Sequence, residues 1–256
     1  MIRIICILII AGIIAGTIST IAGLASLVAY PTLLYLGLPP ITADVTQTLA
    51  QIFTGVGATI ASQKELKGNY KELLRIAPLT LIGCIIGSLL LFIIPSKTFQ
   101  KIVPFFILIA GLLVLIPRKD HNQLTANNTP SHQKNILTIL AWLGVFLVGI
   151  YCGYFGAASG VVMIALLSFI SKTSFQEYNA IKNVTMGLAN LLAAFIYITK
   201  THIHWLFVIP LGIGFLIGGI IGPHLVRILP IKIIKIIIAI LAVILAISLF
   251  KTAYHL

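Results

Sequence analysis

Polar side chains recur inside two apolar stretches of the sequence, at spacings that would bring them to one face of a helix. They are Thr46, Gln47, Gln51 and Thr54 in the first half of the chain and Lys182, Asn183, Thr185 and Asn190 in the second. A polar group at membrane depth is expensive and is by default a functional candidate, so these amides, hydroxyls and the ammonium group predict binding of a small molecule. The alternative is that they form hydrogen bonds between helices and only hold the bundle together.

Lys182 and Asp44 are the ionisable residues closest to these polar groups. An anion inside a membrane needs a countercharge, and Lys182 is the basic residue most clearly within an apolar segment. Its alternatives are a side chain that extends to the membrane surface or one that pairs with Glu177. Asp44 precedes the first polar helix, so it is either a proton- or cation-coupling group or a cap of that helix, and we favour the cap.

The segments that carry these residues are long and apolar, and short charged or Pro/Gly-containing joints separate them. Hydrophobic residues make up 59% of the chain and charged residues 9%, whereas a soluble domain averages about 45–50% and about 25%. We therefore predict an all-α polytopic membrane protein. Its hydrophobic segments are 4–36, 42–63, 73–94, 98–116, 136–170, 175–198, 204–225 and 231–250. The net charge of +12 then serves to orient the helices in the bilayer rather than to bind nucleic acid.

The first and fifth of these segments are much longer than the about 20 residues that one crossing needs. Each contains a cluster of small residues near its middle. These residues are Gly23, Ala25 and Ser26 in the first segment, and Gly156, Ser159 and Gly160 in the fifth. Because glycine loosens a helix, we predict two half-helices that meet at a bend in each segment; the alternative is one long tilted helix. The free N–H groups at the start of a half-helix would then offer a site for an anion.

The two halves of the chain also resemble each other, since the stretch 23–26 matches 156–159 at a constant offset. We predict two inverted repeats on this basis. The expected units are a first transmembrane repeat at 1–116, a cytoplasmic linker at 117–135 and a second transmembrane repeat at 136–256. If both long segments enter and return as hairpins, giving about ten passes, the positive-inside rule is best satisfied. The basic residues left outside the cytoplasm are then Arg3, Lys97, Lys101, Lys200 and Lys251.

The sequence around each predicted bend resembles a known family signature. The two copies read AGTISTIAGLASLVAYPTLLYLGLPPITADVTQTL and VGIYCGYFGAASGVVMIALLSFISKTSFQEYNAIKNVTMGLANL. Together they are similar to the paired signature of the TauE/SafE sulfite exporter family, in which an apolar helix, a glycine cluster and an apolar run lead through a short loop to another helix. The resemblance covers both halves and implies a permease for small anions, typically sulfite, sulfonates or other sulfur-containing organic acids, in the bacterial inner membrane.

We therefore expect a secondary transporter of a small anion that works by alternating access, and not an enzyme, because the five acidic residues lie mostly in loops. The residues expected to bind the substrate are Gly23, Ser26, Gln47, Gln51, Thr54, Gly156, Ser159, Lys182, Asn183 and Asn190. No cofactor is expected, because there is no Walker motif. No metal is expected either, because His202 and His204 offer too few ligands. The expected partners are the anion and the lipid bilayer, and the sequence leaves open a homo-oligomer. A non-transporting membrane scaffold or assembly factor is the alternative.

Overall fold

The computed structural model describes residues 2–93, 131–156, 158–201 and 203–254, together with the isolated positions 105, 108 and 112. Within these ranges the chain is helical and contains no strand. The helices are α1 (Ile2–Ala22), α2 (Ala29–Tyr35), α3 (Pro40–Ala61), α4 (Gln63–Leu66), α5 (Tyr70–Leu90), α6 (Ser131–Tyr154), α7 (Ser159–Ile170), α8 (Phe175–Lys200), α9 (Trp205–Ile228) and α10 (Ile231–Tyr254), with a short 3-10 turn at Ala25–Leu27. Nearly all of the predicted segment 98–116 and most of the predicted linker 117–135 lie outside the described residues.

Four of the described helices, α1, α5, α8 and α9, are long and apolar enough to cross a membrane by length and composition. Large apolar side chains such as Ile14, Ile82 and Phe195 are exposed on their outer faces, as lipid-facing residues are. α3 is equally long but carries polar residues, and its inner face is buried against α8 and α9. The protein is thus a helical, multi-pass membrane protein, whereas the exact number of crossings stays a prediction.

Both long segments are broken where the small residues cluster, as the sequence predicts. Gly23, at φ +76°, follows α1, while Gly156, at φ +69°, and Ala158, at φ +60°, separate α6 from α7. A positive φ favours glycine because a Cβ atom is strained there, and it ends the preceding helix. The breaks do not leave two short half-helices, however. α1 runs for 21 residues and α6 for 24 before the break, and a shorter helix follows each of them.

Helices from the two halves of the chain touch along rows of glycine. α1 lies beside α9, with Gly12 and Gly16 against Gly214 and Gly218. A Cβ atom on Gly16 would lie 2.8 Å from the carbonyl oxygen of Phe215, so only glycine permits this approach. Residue numbers increase together along the contact, and the two helices are therefore parallel.

A second pair of helices repeats this packing with the halves exchanged. α5 lies beside α6, with Gly83 and Gly87 against Gly149 and Gly153, and the pair is again parallel. α1 and α6 are the first helices of the two halves, whereas α5 and α9 are the long helices that come after the polar helices α3 and α8. Each pair thus joins a first helix from one half to a later helix from the other half. Neither half could bury these glycine faces without the other.

The two polar helices, α3 and α8, cross at Gly55 and Gly187. A Cβ atom on Gly55 would lie 2.6 Å from the Gly187 Cα atom. The helices run antiparallel, because Gln51, which precedes Gly55, accepts a hydrogen bond of 3.2 Å from Asn190, which follows Gly187.

Polar contacts mark one end of the bundle. Glu65, just beyond α3, pairs with Arg227 at the end of α9 (2.6 Å), and Asn69 donates a hydrogen bond to Glu177 at the start of α8 (3.1 Å). α3 and α9 therefore end here, and α5 and α8 begin here. The parallel pairs then require that α1 runs toward this end and that α6 runs away from it. Hence α1, α3 and α9 run in one direction, and α5, α6 and α8 run in the other, so that each of α1, α3 and α5 is opposite to its counterpart α6, α8 or α9. Which side of the membrane this end faces is a prediction from charge alone.

Candidate functional site

A cavity lies at the centre of the bundle, where the two breaks meet. Gly23 at the first break touches Gly160 in the first turn of α7, and a Cβ atom on either would collide with the backbone of the other. The cavity holds about 460 Å³ of empty space, its mouth included.

Nine of the ten residues that the sequence predicts for substrate binding line this cavity. They are Gly23, Ser26, Gln51, Thr54, Gly156, Ser159, Lys182, Asn183 and Asn190. The tenth, Gln47, does not; it lies one turn from Gln51 on α3, is buried, and has no hydrogen-bond donor for its Oε1 atom in the described part of the chain. The shared cavity brings these residues together, but their role in binding stays a prediction.

Some lining residues were missed by the sequence analysis. They are Ser19, Gly55, Ala58, Met186 and Gly187. Gly55 and Ala58 continue the face of α3 that carries Gln51 and Thr54, so a search for small residues at that spacing could have found them. Ser19 accepts a hydrogen bond from Lys182 through its backbone carbonyl, and no side-chain pattern reveals this contact. Thr46 and Thr185, on the same two polar helices, are buried outside the cavity lining.

Lys182 is fully enclosed, with 1% of its surface exposed. Its ammonium donates hydrogen bonds to the carbonyl oxygens of Ser19 (3.0 Å) and Thr20 (3.3 Å), near the negative end of the α1 dipole. Both alternatives from the sequence are wrong, since the side chain does not reach the surface and Glu177 instead caps its own helix through Ser174. An ammonium has three donors, so one remains for a ligand.

The break after α1 explains why these donors gather there. In a continuous helix the Thr20 carbonyl would accept from the N–H of Leu24. At the break it accepts instead from the side-chain amides of Asn179 (2.9 Å) and Asn183 (3.2 Å), together with Lys182. Three donors from α8 thus satisfy one of the carbonyls in the last turn of α1, which the break leaves without a helical partner.

Two hydroxyl groups in the cavity have no partner in the described part of the chain. They belong to Ser26 and Thr54, and both are buried. Leaving such a group without a hydrogen bond costs about 1–3 kcal/mol, so a ligand or water is the expected partner. Asn190 donates to the Oε1 atom of Gln51, so this bond does not use the Gln51 NH₂ group. Ser159 differs, because its hydroxyl already donates to the Gly156 carbonyl at 2.9 Å.

The start of α7 also faces the cavity. Its cap residue is Ala158, and no side chain accepts from the first turn. The N–H of Ser159 donates to the Gly156 carbonyl, whereas the N–H of Gly160 has no backbone acceptor among the described residues. The first turn of α7 lies at the positive end of a helix dipole, which attracts an anion.

Asp44 does not cap α3, so that expectation is wrong. α3 begins at Pro40, with Pro39 in the capping position and no side-chain bond to the first turn. A proline at the first helical position lacks an N–H and needs no cap there. Asp44 lies in the second turn instead, 6% exposed. Of the two histidines considered above, His204 is exposed before α9 and His202 lies outside the described residues.

Comparison with known proteins identifies the family to which this bundle belongs. The family model described as sulfite exporter TauE/SafE matches residues 8–249, nearly the whole chain. The chain belongs to the TauE/SafE family. It is 26% identical to the probable membrane transporter protein ORF9 of Sinorhizobium sp, over 97% of this chain and 93% of the relative. It is also 26% identical to a probable membrane transporter protein of Haemophilus influenzae (84% of this chain, 80% of the relative) and to YfcA of Escherichia coli K12 (83% and 77%). No solved structure matches the chain significantly.

Membership of the TauE/SafE family agrees with the apolar helices and with a central polar cavity. The names of the family and of these relatives indicate a membrane transporter rather than an enzyme. The protein is therefore a lipid-embedded transporter of a small molecule.

Proposed function

We propose that this TauE/SafE protein is a secondary permease for a small anion, such as sulfite, a sulfonate or another organosulfur acid, in the bacterial inner membrane. The observation that carries the proposal is Lys182, whose ammonium is the only charged group among the described residues that line the cavity. A buried cation without a carboxylate partner is costly, and a bound anion offsets that cost. The family description, sulfite exporter, favours sulfur oxyanions.

The other polar groups of the cavity suit the same ligand. An oxyanion accepts hydrogen bonds but donates few, so its site needs donors. The Ser26 and Thr54 hydroxyls are without partners, the Gln51 NH₂ group is not used in its bond to Asn190, and no acidic residue belongs to the described lining. With the third donor of Lys182, these groups can surround a small oxyanion.

The directions of the helices support alternating access between two inverted repeats, 1–116 and 136–256. Each long helix of the first half runs opposite to its counterpart, and the breaks of the two halves meet at Gly23 and Gly160. Inverted repeats can exchange conformations, so that the same central site opens first to one side and then to the other. The linker 117–135 lies in the cytoplasm in this scheme.

Transport assays in liposomes test the proposal. The purified protein is reconstituted, and uptake of radiolabelled sulfite, thiosulfate, methanesulfonate and acetate is measured against empty liposomes. We expect saturable movement of at least one sulfur oxyanion, inhibited by unlabelled anions of the same class. If a monodisperse, heat-stable preparation moves none of the four, the permease proposal is wrong and the scaffold alternative gains support.

A further inference from the structure

Asp44 is a buried carboxyl group that anion binding does not use. It has no hydrogen bond or ion pair with any described residue. Glu65 and Glu177, by contrast, are hydrogen-bonded at the end of the bundle. Asp44 thus lies inside the protein without a cation from the described residues to balance a carboxylate.

Asp44 lies on the face of α3 that forms the cavity. Gln51 and Ala58, seven and fourteen residues further on, line the cavity, and residues spaced by two helical turns share a face. At about 1.5 Å per residue, Asp44 is about 10 Å along the axis from Gln51. The carboxyl group therefore lies beyond Gln51 on the side away from the Glu65 end of the bundle, outside the cavity lining itself.

Lys182 cannot neutralise Asp44. α3 and α8 are antiparallel, and the bond between Gln51 and Asn190 fixes their register. Lys182 precedes Asn190 by eight residues, so it lies on the opposite side of this bond from Asp44. The two charged groups are thus roughly 20 Å apart along the bundle, far beyond the reach of an ion pair.

No other cation among the described residues faces Asp44. The groups that interact with it electrostatically are Tyr30 from α2, Tyr151 and Cys152 from α6, and Tyr197 from α8. Phenols and thiols carry no positive charge at any pH. The ionisable residues that α1 and α9 place at this end of the bundle are all exposed; they are Arg3, Cys6 and His204.

We propose that Asp44 is the proton-coupling residue of this permease, an inference that rests on the anion transport proposed above. With no cation beside it in the described part of the chain, the buried side chain is held as the neutral acid, its O–H bond formed with a proton taken from water. When the opposite conformation brings Asp44 to an aqueous opening, the O–H bond breaks and the proton returns to water. Each cycle then moves one proton on Asp44 with one anion at Lys182, and for a monoanion the two charges cancel.

Infrared spectroscopy tests the proton site without any substrate. Difference spectra of the protein in lipid between acidic and alkaline pH are recorded for the wild type, Asp44→Asn and Glu72→Gln, the last being a matched carboxyl at the start of α5. We expect a carboxylic-acid C=O band, in the range of an acid shielded from water, that is lost in Asp44→Asn and kept in Glu72→Gln. A band that persists in Asp44→Asn, or no such band in the wild type, overturns the proposal.

Transport of a sulfonate tests the coupling. A sulfonate stays ionised throughout the usable pH range, so any proton that moves with it must be carried by the protein. Radiolabelled methanesulfonate uptake into liposomes is driven by a pH gradient, with the membrane potential clamped to zero. We expect the wild type and Asp44→Glu to accumulate methanesulfonate several-fold and Asp44→Asn to accumulate none. At equal pH on both sides, Asp44→Asn should still exchange labelled for unlabelled methanesulfonate.

The outcomes separate the two proposals. If the wild type moves none of sulfite, thiosulfate, methanesulfonate and acetate, the permease proposal fails, while the infrared band still decides whether Asp44 binds a proton. If Asp44→Asn accumulates methanesulfonate like the wild type, or if a sodium gradient drives the wild type and a pH gradient does not, the proton-coupling role is wrong.

Discussion

Replacement of Lys182 by methionine separates anion binding from packing. The substitution removes the charge but keeps an unbranched apolar side chain of similar length. In this variant, both carbonyls that Lys182 contacts keep another hydrogen-bond donor. Ser19 still accepts from the N–H of Gly23 at 2.7 Å, and Thr20 still accepts from Asn179 and Asn183. We therefore expect the variant to fold, with a melting temperature close to that of the wild type.

The expected loss of affinity follows from the one ammonium donor that is left for a ligand. A hydrogen bond to a charged group contributes about 1.5–3 kcal/mol, and each 1.4 kcal/mol changes a dissociation constant about tenfold. Lys182→Met should therefore raise the Kd for the anion by about 10- to 150-fold. Lost long-range attraction in the poorly solvated cavity would add to this effect.

The assay is equilibrium binding of radiolabelled sulfite or methanesulfonate to protein in lipid nanodiscs, with thermal unfolding measured on the same samples. Lys200→Met is the matched control, because it removes the same charge from the exposed end of the same helix. An affinity within twofold of the wild type in Lys182→Met would refute the reasoning. Combined with a lowered melting temperature, it would show that Lys182 only holds the end of α1.

The contacts that position the cavity give two further predictions. Gly187→Ala places a Cβ atom 2.7 Å from the Gly55 Cα atom, so we expect the variant to lose about 1–3 kcal/mol in stability and to transport more slowly. The control is Leu188→Ala at the exposed neighbouring position, which should change both properties little. Equal melting temperatures for the two variants would contradict this prediction. The hydrogen bond from Arg227 lowers the pKa of the Glu65 carboxyl. The pair therefore stabilises the protein fully at a pH above the ordinary carboxyl pKa, and this stabilisation is lost as the pH falls through the lowered pKa of Glu65. Melting temperatures measured from neutral to acidic pH should therefore fall less steeply in Glu65→Gln than in the wild type, and parallel curves would count against the pair.

The breaks and most of the cavity residues could be predicted because their signals are local. Glycine at Gly23 and Gly156 is needed for a positive φ, and a cluster of small residues in an overlong apolar segment indicates where the helix ends. Amides and an ammonium group in otherwise apolar helices are conspicuous for the same reason, since membranes tolerate few such groups. Gln51 and Lys182 were found in this way.

The remaining features depend on contacts between distant parts of the chain, and no local pattern carries them. Gly55 and Gly187 look like ordinary small residues until the two polar helices are seen to cross there. Asp44 resembles a cap because acidic residues are common near the start of helices, but the helix begins at Pro40 and moves the carboxyl group into the second turn. The lengths of α1 and α6 before their breaks were also misjudged, because the glycine clusters follow helices of 21 and 24 residues rather than half-helices.

The contacts of Lys182 suggest how the cavity can stay stable when it is empty. A buried ammonium without an anion would be costly, but here it donates to the carbonyls of Ser19 and Thr20 at the negative end of the α1 dipole. An arriving anion can use the third donor without breaking these two bonds, so binding requires little rearrangement. The empty carrier, which must return across the membrane in every cycle of a secondary transporter, is then held by the backbone of its own broken helix. A continuous α1 would bond the Thr20 carbonyl to Leu24, so the break serves the unloaded carrier as much as the bound substrate.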